Sequence, residues 1–335
     1  MEELKYIMFF AVGLAMIVKG ADWLTDGASS IARRFKISTL VIGLTIVAFG
    51  TSAPELVVSI ISGIDGKTDI ALGNVVGSNI FNSLAVMGFT AIVCPVVCTR
   101  RNLLLDVPLA FVASTLLFVF TMTNSSISRT EGIILSGCFV LFVLYSIYIG
   151  KKGSGKPSVS TSSSIDIDGS WSEADEKDFF VDNEMSMIKA TALFLIGLCC
   201  LVFGGDLFVD GASGIAKMLG VSDSVIALTI VAAGTSFPEL VTSVVAAHKG
   251  DTDMAFGNVV GSNIFNIFLV LGTTSIISPI PLGSVGIIQL GIVVFTAFLL
   301  WFFFLIGKPH KTVTRFEGML LALCAVAYYV WVVLN

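Results

Sequence analysis

Long apolar runs dominate the chain, and short polar stretches separate them. A helix needs about 20 mostly apolar residues to cross the hydrocarbon core of a bilayer. The pattern therefore predicts an all-α membrane protein with ten membrane-spanning helices. They lie near residues 5–30, 38–63, 70–97, 103–123, 130–150, 187–214, 222–247, 254–279, 284–307 and 312–334.

Two of these spans carry a helix breaker and a carboxylate about halfway along, in "AFGTSAPELVVS" and "AAGTSFPELVTS". Pro54 has no backbone N–H for the carbonyl of Gly50, and Pro238 stands in the same relation to Gly234. A freed carbonyl at membrane depth is tolerated only where protein buries it or where it lines a water-filled cavity. We therefore predict that both helices are broken at the Pro-Glu pair, inside the protein.

The two halves of the chain are related by a constant offset of 184 positions. Residues 44–83 align with 228–267 without a gap, and 27 of the 40 positions are identical. Each half holds five predicted spans, so the second copy begins on the opposite side of the membrane and the repeats are inverted. We predict a first repeat over 1–150, a polar and acidic linker over 151–186 and a second repeat over 187–335. Inverted repeats are typical of secondary transporters, whose ion sites lie near the midplane where the repeats meet.

Composition supports the membrane class, since 55% of the residues are hydrophobic and only 13% are charged. No basic patch interleaved with aromatic residues points to nucleic acid. Basic residues are concentrated in alternate loops, which by the positive-inside rule predicts extracellular N- and C-termini and a cytoplasmic linker in a multi-pass protein of the cell membrane. The basic residues of the predicted inner loops are Arg33, Arg34, Lys36, Arg100, Arg101, Lys151, Lys152, Lys156, Lys249, Lys308, Lys311 and Arg315, against Lys67, Arg129 and Lys217 outside.

Oxygen-bearing side chains surround the two predicted breaks. An ionisable residue within a span costs several kcal/mol, and here the Glu recurs at symmetric positions, which favours ion ligands over a structural kink. The following spans both contain "GNVVGSNIFN". In this motif the Ser and the last Asn lie four apart and share a helix face. The candidate ligands are Thr51, Ser52, Glu55, Ser78 and Asn82 in the first repeat and Thr235, Ser236, Glu239, Ser262 and Asn266 in the second.

Four further amides, Asn74, Asn79, Asn258 and Asn263, fit either a ligand role or hydrogen bonding between helices. The number of charged groups in the candidate site limits which cations it can bind. Glu55 and Glu239 supply two negative charges, which match one Ca²⁺ or two to three Na⁺. Mg²⁺ would resist the dehydration that such an all-protein site requires.

These motifs resemble the two alpha-repeats of the cation/calcium exchanger superfamily, and are most similar to those of prokaryotic-type sodium/calcium exchangers. The resemblance implies ten helices, of which the first and sixth slide past a core of eight, and exchange of about three Na⁺ for one Ca²⁺. It assigns Glu55 and Glu239 to both ions and the backbone carbonyls of Thr51 and Thr235 to Ca²⁺. It places Ser52, Ser236, Ser78 and Ser262 around Na⁺, and Asn82 and Asn266 at the centre.

Two departures from related patterns narrow the choice of coupling ion. Some superfamily members, including those that co-transport K⁺, carry Asp at the position of Asn266, so the resemblance argues against K⁺ dependence. Proton-coupled members usually have His after the motif Glu, where this chain has Leu56 and Leu240.

The leading hypothesis is thus an electrogenic antiporter that exchanges Na⁺ for Ca²⁺ by alternating access. A Ca²⁺/H⁺ antiporter and a cation channel are the alternatives. A channel usually obtains its symmetry from an oligomer, whereas here the two-fold repeat lies within one chain, which favours a monomer in the lipid bilayer. No nucleophile–base set or cofactor motif points to an enzyme, and no cofactor is expected beyond the transported ions.

Overall fold

A computed structural model describes residues 2–152, 185–221, 232–283, 285–307 and 311–334. Its longer helices are α1 Glu2–Phe35, α2 Thr39–Thr51, α3 Ala53–Ile64, α4 Thr68–Val93, α5 Asp106–Asn124, α6 Arg129–Lys152, α7 Met187–Met218, α8 Phe237–His248, α9 Thr252–Ile277, α10 Ile287–Ile306 and α11 Arg315–Leu334. Single helical turns cover Arg100–Leu104 and Ala232–Gly234. The predicted all-α membrane fold with two five-helix repeats is confirmed.

Nine of the ten predicted spans correspond to helices within the described ranges, although the span predicted over 70–97 ends at Val93. Eight are helices long and apolar enough to cross a membrane, and the ninth is the bent pair α2 and α3. The tenth prediction, 222–247, falls partly on residues 222–231, outside the described residues, and α8 forms its second half.

The long helices α1 and α7 continue past their predicted ends, to 34 and 32 residues. At 1.5 Å per residue they are about 50 Å long, which exceeds the roughly 30 Å of a hydrocarbon core. The apolar pattern ends before the basic residues Arg33, Arg34 and Lys217, whereas the helices continue through them, so the predicted ends are too early.

Helices α1 and α7 pack against each other in antiparallel orientation through small residues. Gly13 lies against Gly204, Gly20 against Gly197, and Gly27 against Ala190 at regular intervals along the pair. A Cβ on Gly197 would lie only 2.6 Å from the carbonyl oxygen of Gly20. Such small residues let two backbones approach closely within a membrane.

The broken helices and the enclosed spans α4 and α9 form the centre of the molecule, and the pair of α1 and α7 lies at its periphery. Side chains of α7 cover both breaks. Leu198 lies against Gly50 beside the first break, and Val209 lies against Gly234 beside the second. Helix α7 therefore covers the region of the two breaks.

Four two-residue strands in the described part of the chain, which the apolar pattern does not predict, join the repeats. Strand β1 (Val96–Val97) pairs with β4 (Thr312–Val313), and β2 (Ser126–Ile127) pairs with β3 (Ile280–Pro281), both antiparallel. Each pairing satisfies backbone groups where a span ends. Two residues are too few to give the alternating pattern from which a strand is predicted.

Candidate ion-binding site

The first break lies at Ser52, where α2 and α3 meet at an angle of 47°. The helical hydrogen bonds resume from Leu56 N to Ser52 O at 3.2 Å, and in the second repeat from Leu240 N to Ser236 O at 3.1 Å. The sequence prediction of broken helices at the Pro-Glu pairs is therefore confirmed for the first repeat, and the described part of the second repeat has the same arrangement.

Glu55 and Glu239 lie in the first turns of α3 and α8 and are completely buried. The N-terminus of a helix carries a partial positive charge that favours an anionic side chain. A serine of each motif bonds to the carboxylate of the other motif, so the two carboxylates lie in the same region. Two helix starts of opposite direction thus present their carboxylates to one buried region.

Each carboxylate accepts a hydrogen bond from the opposite repeat. The Ser52 hydroxyl donates to Glu239 Oε1 at 2.8 Å, and the Ser236 hydroxyl donates to Glu55 Oε1 at 3.1 Å. Ser78 of α4 also donates to Glu55 Oε1, at 3.4 Å. These crossed bonds bring the two motifs, 184 residues apart in sequence, into one site.

The second oxygen of each carboxylate has no hydrogen-bond partner among the described residues. The same holds for the Ser262 hydroxyl and for Asn266 Oδ1. A buried carboxylate without compensation is costly. Unshared oxygens from carboxylates, hydroxyls and amides are the ligands that Ca²⁺ prefers. The donor set therefore fits a hard cation.

Thr51 and Glu239 are linked through Asn258, one of the amides whose role the sequence leaves open. Asn258 is fully buried; its Oδ1 accepts from the Thr51 hydroxyl at 3.1 Å, and its Nδ2 donates to Ser243 Oγ at 2.9 Å and to the Glu239 carbonyl at 3.3 Å. It thus connects the last residue before one break with the first turn after the other.

The equivalent link in the other half of the site, through Asn74, has longer hydrogen bonds. The Thr235 hydroxyl donates to Asn74 Oδ1 at 3.3 Å, and Asn74 Nδ2 donates to Ser59 Oγ at 3.5 Å. Thr235 and Asn74 are both half-buried, unlike Thr51 and Asn258. Sequence reasoning missed the contributions of Ser59 and Ser243, although their identity at offset 184 was the signal that could have found them.

The remaining amides join α4 to α9. Asn79 Nδ2 donates to the Asn263 carbonyl at 3.2 Å, Asn263 Nδ2 donates to Ser83 Oγ at 2.9 Å, and Asn266 Nδ2 donates to Asn79 Oδ1 at 3.1 Å. Asn79 and Asn263 therefore take the helix–helix role that was one of their two interpretations.

Asn82 and Asn266 each begin a π-helical turn, Asn82–Val86 and Asn266–Leu271. Both side chains are fully buried, and neither amide atom of Asn82 has a hydrogen-bond partner in the described part of the chain. Such turns are frequent at functional sites because they leave helical groups unpaired. No sequence signal predicts them.

The described ranges contain no cluster of three or more His, Cys, Asp or Glu side chains that could hold a metal. The candidate site is instead a pair of carboxylates surrounded by neutral oxygens. A multi-pass membrane protein with broken inverted repeats and such a site belongs to the class of secondary cation transporters.

Comparison with known proteins specifies the family. Residues 5–148 and 189–334 match the family described as sodium/calcium exchanger protein, and the chain belongs to that family. It is 32% identical to the sodium/calcium exchanger MaX1 of Methanosarcina acetivorans, covering 96% of this chain and 97% of the relative. It is 33% identical to the inner membrane protein YrbG of Escherichia coli, over 80% and 78% of the two chains.

A solved structure of the sodium–calcium exchanger NCX_Mj aligns with a TM-score of 0.78 and 28% identity, covering 97% of both chains. The resemblance to a prokaryotic-type exchanger is thereby confirmed. The protein is a cation/Ca²⁺ antiporter of this family.

Proposed function

We propose that this antiporter couples Ca²⁺ transport to Na⁺, with about three Na⁺ exchanged for each Ca²⁺. The observation that carries the proposal is the pair of buried carboxylates, each held by a serine of the opposite repeat and each with one oxygen unshared among the described residues. One site made by both repeats can bind either type of cation, which is the physical basis of exchange.

The balance of charge in the site supports the proposed number of Na⁺ ions per Ca²⁺. Two carboxylates are neutralised by one Ca²⁺ or by two Na⁺, and a site that is neutral crosses the membrane interior at the lowest cost. A third Na⁺ at the flanking serine and threonine oxygens would carry one extra positive charge. Each cycle then moves one net charge across the membrane.

Each candidate residue has a place in this proposal. Glu55 and Glu239 bind both ions, the carbonyls beside the breaks at Thr51 and Thr235 bind Ca²⁺, and the serines bind Na⁺. The Ser52 and Ser236 hydroxyls donate to the carboxylates, and their oxygens keep lone pairs that can bind Na⁺ at the same time. The residues assigned to the flanking and central positions are Ser52, Ser236, Ser78, Ser262, Asn82 and Asn266.

Alternating access would come from sliding of α1 and α7 as one unit. They contact each other through glycines over much of their length, and α7 covers both breaks. We further propose a monomer in the cell membrane, with extracellular termini, a cytoplasmic linker, no cofactor and no enzymatic activity.

The experiment that tests the coupling ion is uptake of radioactive Ca²⁺ into Na⁺-loaded proteoliposomes. We expect uptake that requires the outward Na⁺ gradient and that K⁺ cannot replace. Uptake driven by a pH gradient alone would make the protein a Ca²⁺/H⁺ antiporter, and Ca²⁺ flux without any counter-ion would make it a channel.

Substitution of the carboxylates tests the site. We expect Glu55→Gln and Glu239→Gln to abolish exchange while the protein remains folded, because the amide keeps the size of the side chain and removes one of the two charges. Glu131→Gln is the matched control, since Glu131 caps α6 through Ser128 and lies outside the site. Normal exchange by either site variant, in protein of normal thermal stability, would refute the site assignment.

A further inference from the structure

The long helix α1 is held against the rest of the protein on one side of the membrane only. It packs along α8, whereas the pseudo-symmetric pair, α7 and α3, makes no contact of comparable extent in the described ranges. The two repeats are nearly identical around the site, so this difference describes a conformation that is closed on one face.

A charged cluster lies at the closed face, in the loop between α8 and α9. The ammonium group of Lys249 contacts Asp22 Oδ1 at 2.5 Å, Asp26 Oδ1 at 2.7 Å and the Asp22 carbonyl at 3.0 Å. All three acceptors belong to α1. Lys249 therefore joins two helices that must separate if this face is to open.

Asp251 strengthens the same junction. Its carboxylate accepts from Ser29 of α1 at 3.1 Å and from Thr39 of α2 at 2.8 Å, and it also caps α9 through Met254 N at 3.0 Å. The loop thus holds α1 by two side chains of opposite charge, two residues apart.

On the opposite face, the equivalent loop lies between α3 and α4, and its acidic and basic residues stand in the reverse order. The 184-residue offset relates Asp22 and Asp26 to Asp206 and Asp210, but it relates Lys249 to Asp65 and Asp251 to Lys67. Closure of that face in the mirror-image way would bring Asp65, and not a lysine, toward Asp206 and Asp210. The attraction on one face would become a repulsion on the other.

We propose that Lys249, with Asp22 and Asp26, forms a one-sided latch that biases this transporter toward the conformation closed at the Lys249 face. The positive-inside rule places that face in the cytoplasm, so the latch favours access to the ion site from the outside. The order of acid and base in the two loops sets the direction of the bias. This inference rests on the proposed alternating access, and its test does not require transport.

Thiol labelling measures the bias directly. Ala247 is 1% exposed and lies in a buried apolar cluster to which both α1 and α8 contribute. In a variant without the six native cysteines, the thiol introduced by Ala247→Cys would react with an impermeant maleimide only when the Lys249 face opens. Labelling is performed without Na⁺ or Ca²⁺.

We expect Lys249→Gln to raise the labelling rate about fivefold, the size expected for a small network of partly exposed ion pairs. Lys19→Gln is the matched control, because Lys19 lies 3.7 Å from the same Asp22 but within α1 itself, so it should leave the rate unchanged. A high concentration of choline chloride should raise the labelling rate of the protein that retains Lys249, because salt screens exposed charges.

The double variant Asp65→Lys, Lys67→Asp tests the other face. It gives the outer loop the charge order of the inner one and should also raise labelling of the thiol introduced at position 247, because it stabilises the opposite closure. Unchanged labelling in Lys249→Gln and in choline chloride would overturn the latch. A shift in labelling together with a failure of Na⁺-driven uptake would overturn the coupling and leave the latch standing.

Discussion

At the scale of single residues, the site depends on side chains that form hydrogen bonds with the opposite repeat. Ser52 and Ser236 each donate to the carboxylate that the other motif supplies. Asn258 uses both its amide nitrogen and its amide oxygen to connect Thr51, Ser243 and Glu239. The geometry of one half of the site is therefore fixed by the other half.

Replacement of Asn258 should separate positioning from simple packing. We expect Asn258→Ala to raise the KM for Ca²⁺ about tenfold, because a lost partner leaves buried polar groups unsatisfied at about 1–3 kcal/mol. Asn74→Ala should have a smaller effect, since its hydrogen bonds are longer and its side chain is half-buried.

The control for this experiment is Asn102→Ala, which removes an equally buried amide outside the site. Its thermal stability is compared with that of Asn258→Ala by the same melting assay. A similar KM change in both variants would assign the effect to general destabilisation.

At the scale of secondary-structure elements, breaks and π-helical turns create the site where regular helices would have closed it. A continuous helix through residue 54 would pair the Gly50 carbonyl with the N–H that proline lacks. The π-helical turns at Asn82 and Asn266 disturb the regular bonding of α4 and α9 beside the carboxylates. Irregular backbone at this depth is stable here because protein encloses it.

Restoring the missing N–H should repair the helix and impair the site. We expect Pro54→Ala to lower the rate of exchange severalfold without lowering the melting temperature, because the new N–H can bond to the Gly50 carbonyl and straighten the break. The measurements are Ca²⁺ uptake and thermal unfolding of the same preparation.

Pro95→Ala is the matched control. Pro95 lies between the end of α4 at Val93 and the start of β1 at Val96, outside any helix. Its replacement therefore restores no helical hydrogen bond. Full exchange activity in Pro54→Ala would show that the break is not needed for ion binding.

At the scale of the whole molecule, two nearly identical repeats are assembled with unequal contacts. The short strand pairs β1–β4 and β2–β3 each join one repeat to the other, beside the ends of spans. The loop charges, by contrast, distinguish the faces, since Lys249 holds α1 and its counterpart is Asp65. Symmetry builds the site, and the departures from symmetry determine which face is closed.

The proposed coupling makes transport depend on membrane voltage. In Na⁺-loaded vesicles, three Na⁺ leaving for each Ca²⁺ entering would remove one positive charge per cycle. An inside-positive potential of about 100 mV should then favour uptake by about 2.3 kcal/mol, or about fiftyfold in the Ca²⁺ ratio at equilibrium.

This voltage effect can be measured with valinomycin and K⁺ gradients that set the potential at constant Na⁺ and Ca²⁺. Vesicles with K⁺ at equal concentration on both sides are the control. A Ca²⁺ ratio that does not change with the potential would indicate two Na⁺ per Ca²⁺.

The sequence by itself determined the class of fold and the candidate ligands. Apolar length is a local property that predicts a span, and an odd number of spans per repeat requires inversion. Proline removes a helical hydrogen bond wherever it lies in a helix interior, so the breaks at Pro54 and Pro238 could be predicted without a structure. The repetition of Glu55 as Glu239 indicated the site, because a carboxylate placed twice within a span needs a compensating partner.

Only the tertiary structure decided which of these residues meet and how. The pairing of Ser52 with Glu239, the link through Asn258, the π-helical turns and the contact of Lys249 with α1 depend on packing between segments far apart in sequence. Local periodicity carries no information about such contacts, because it records the environment of one helix and not the identity of its neighbour. The closed face was likewise decided by packing, although the charges that favour it can be read in the two loops.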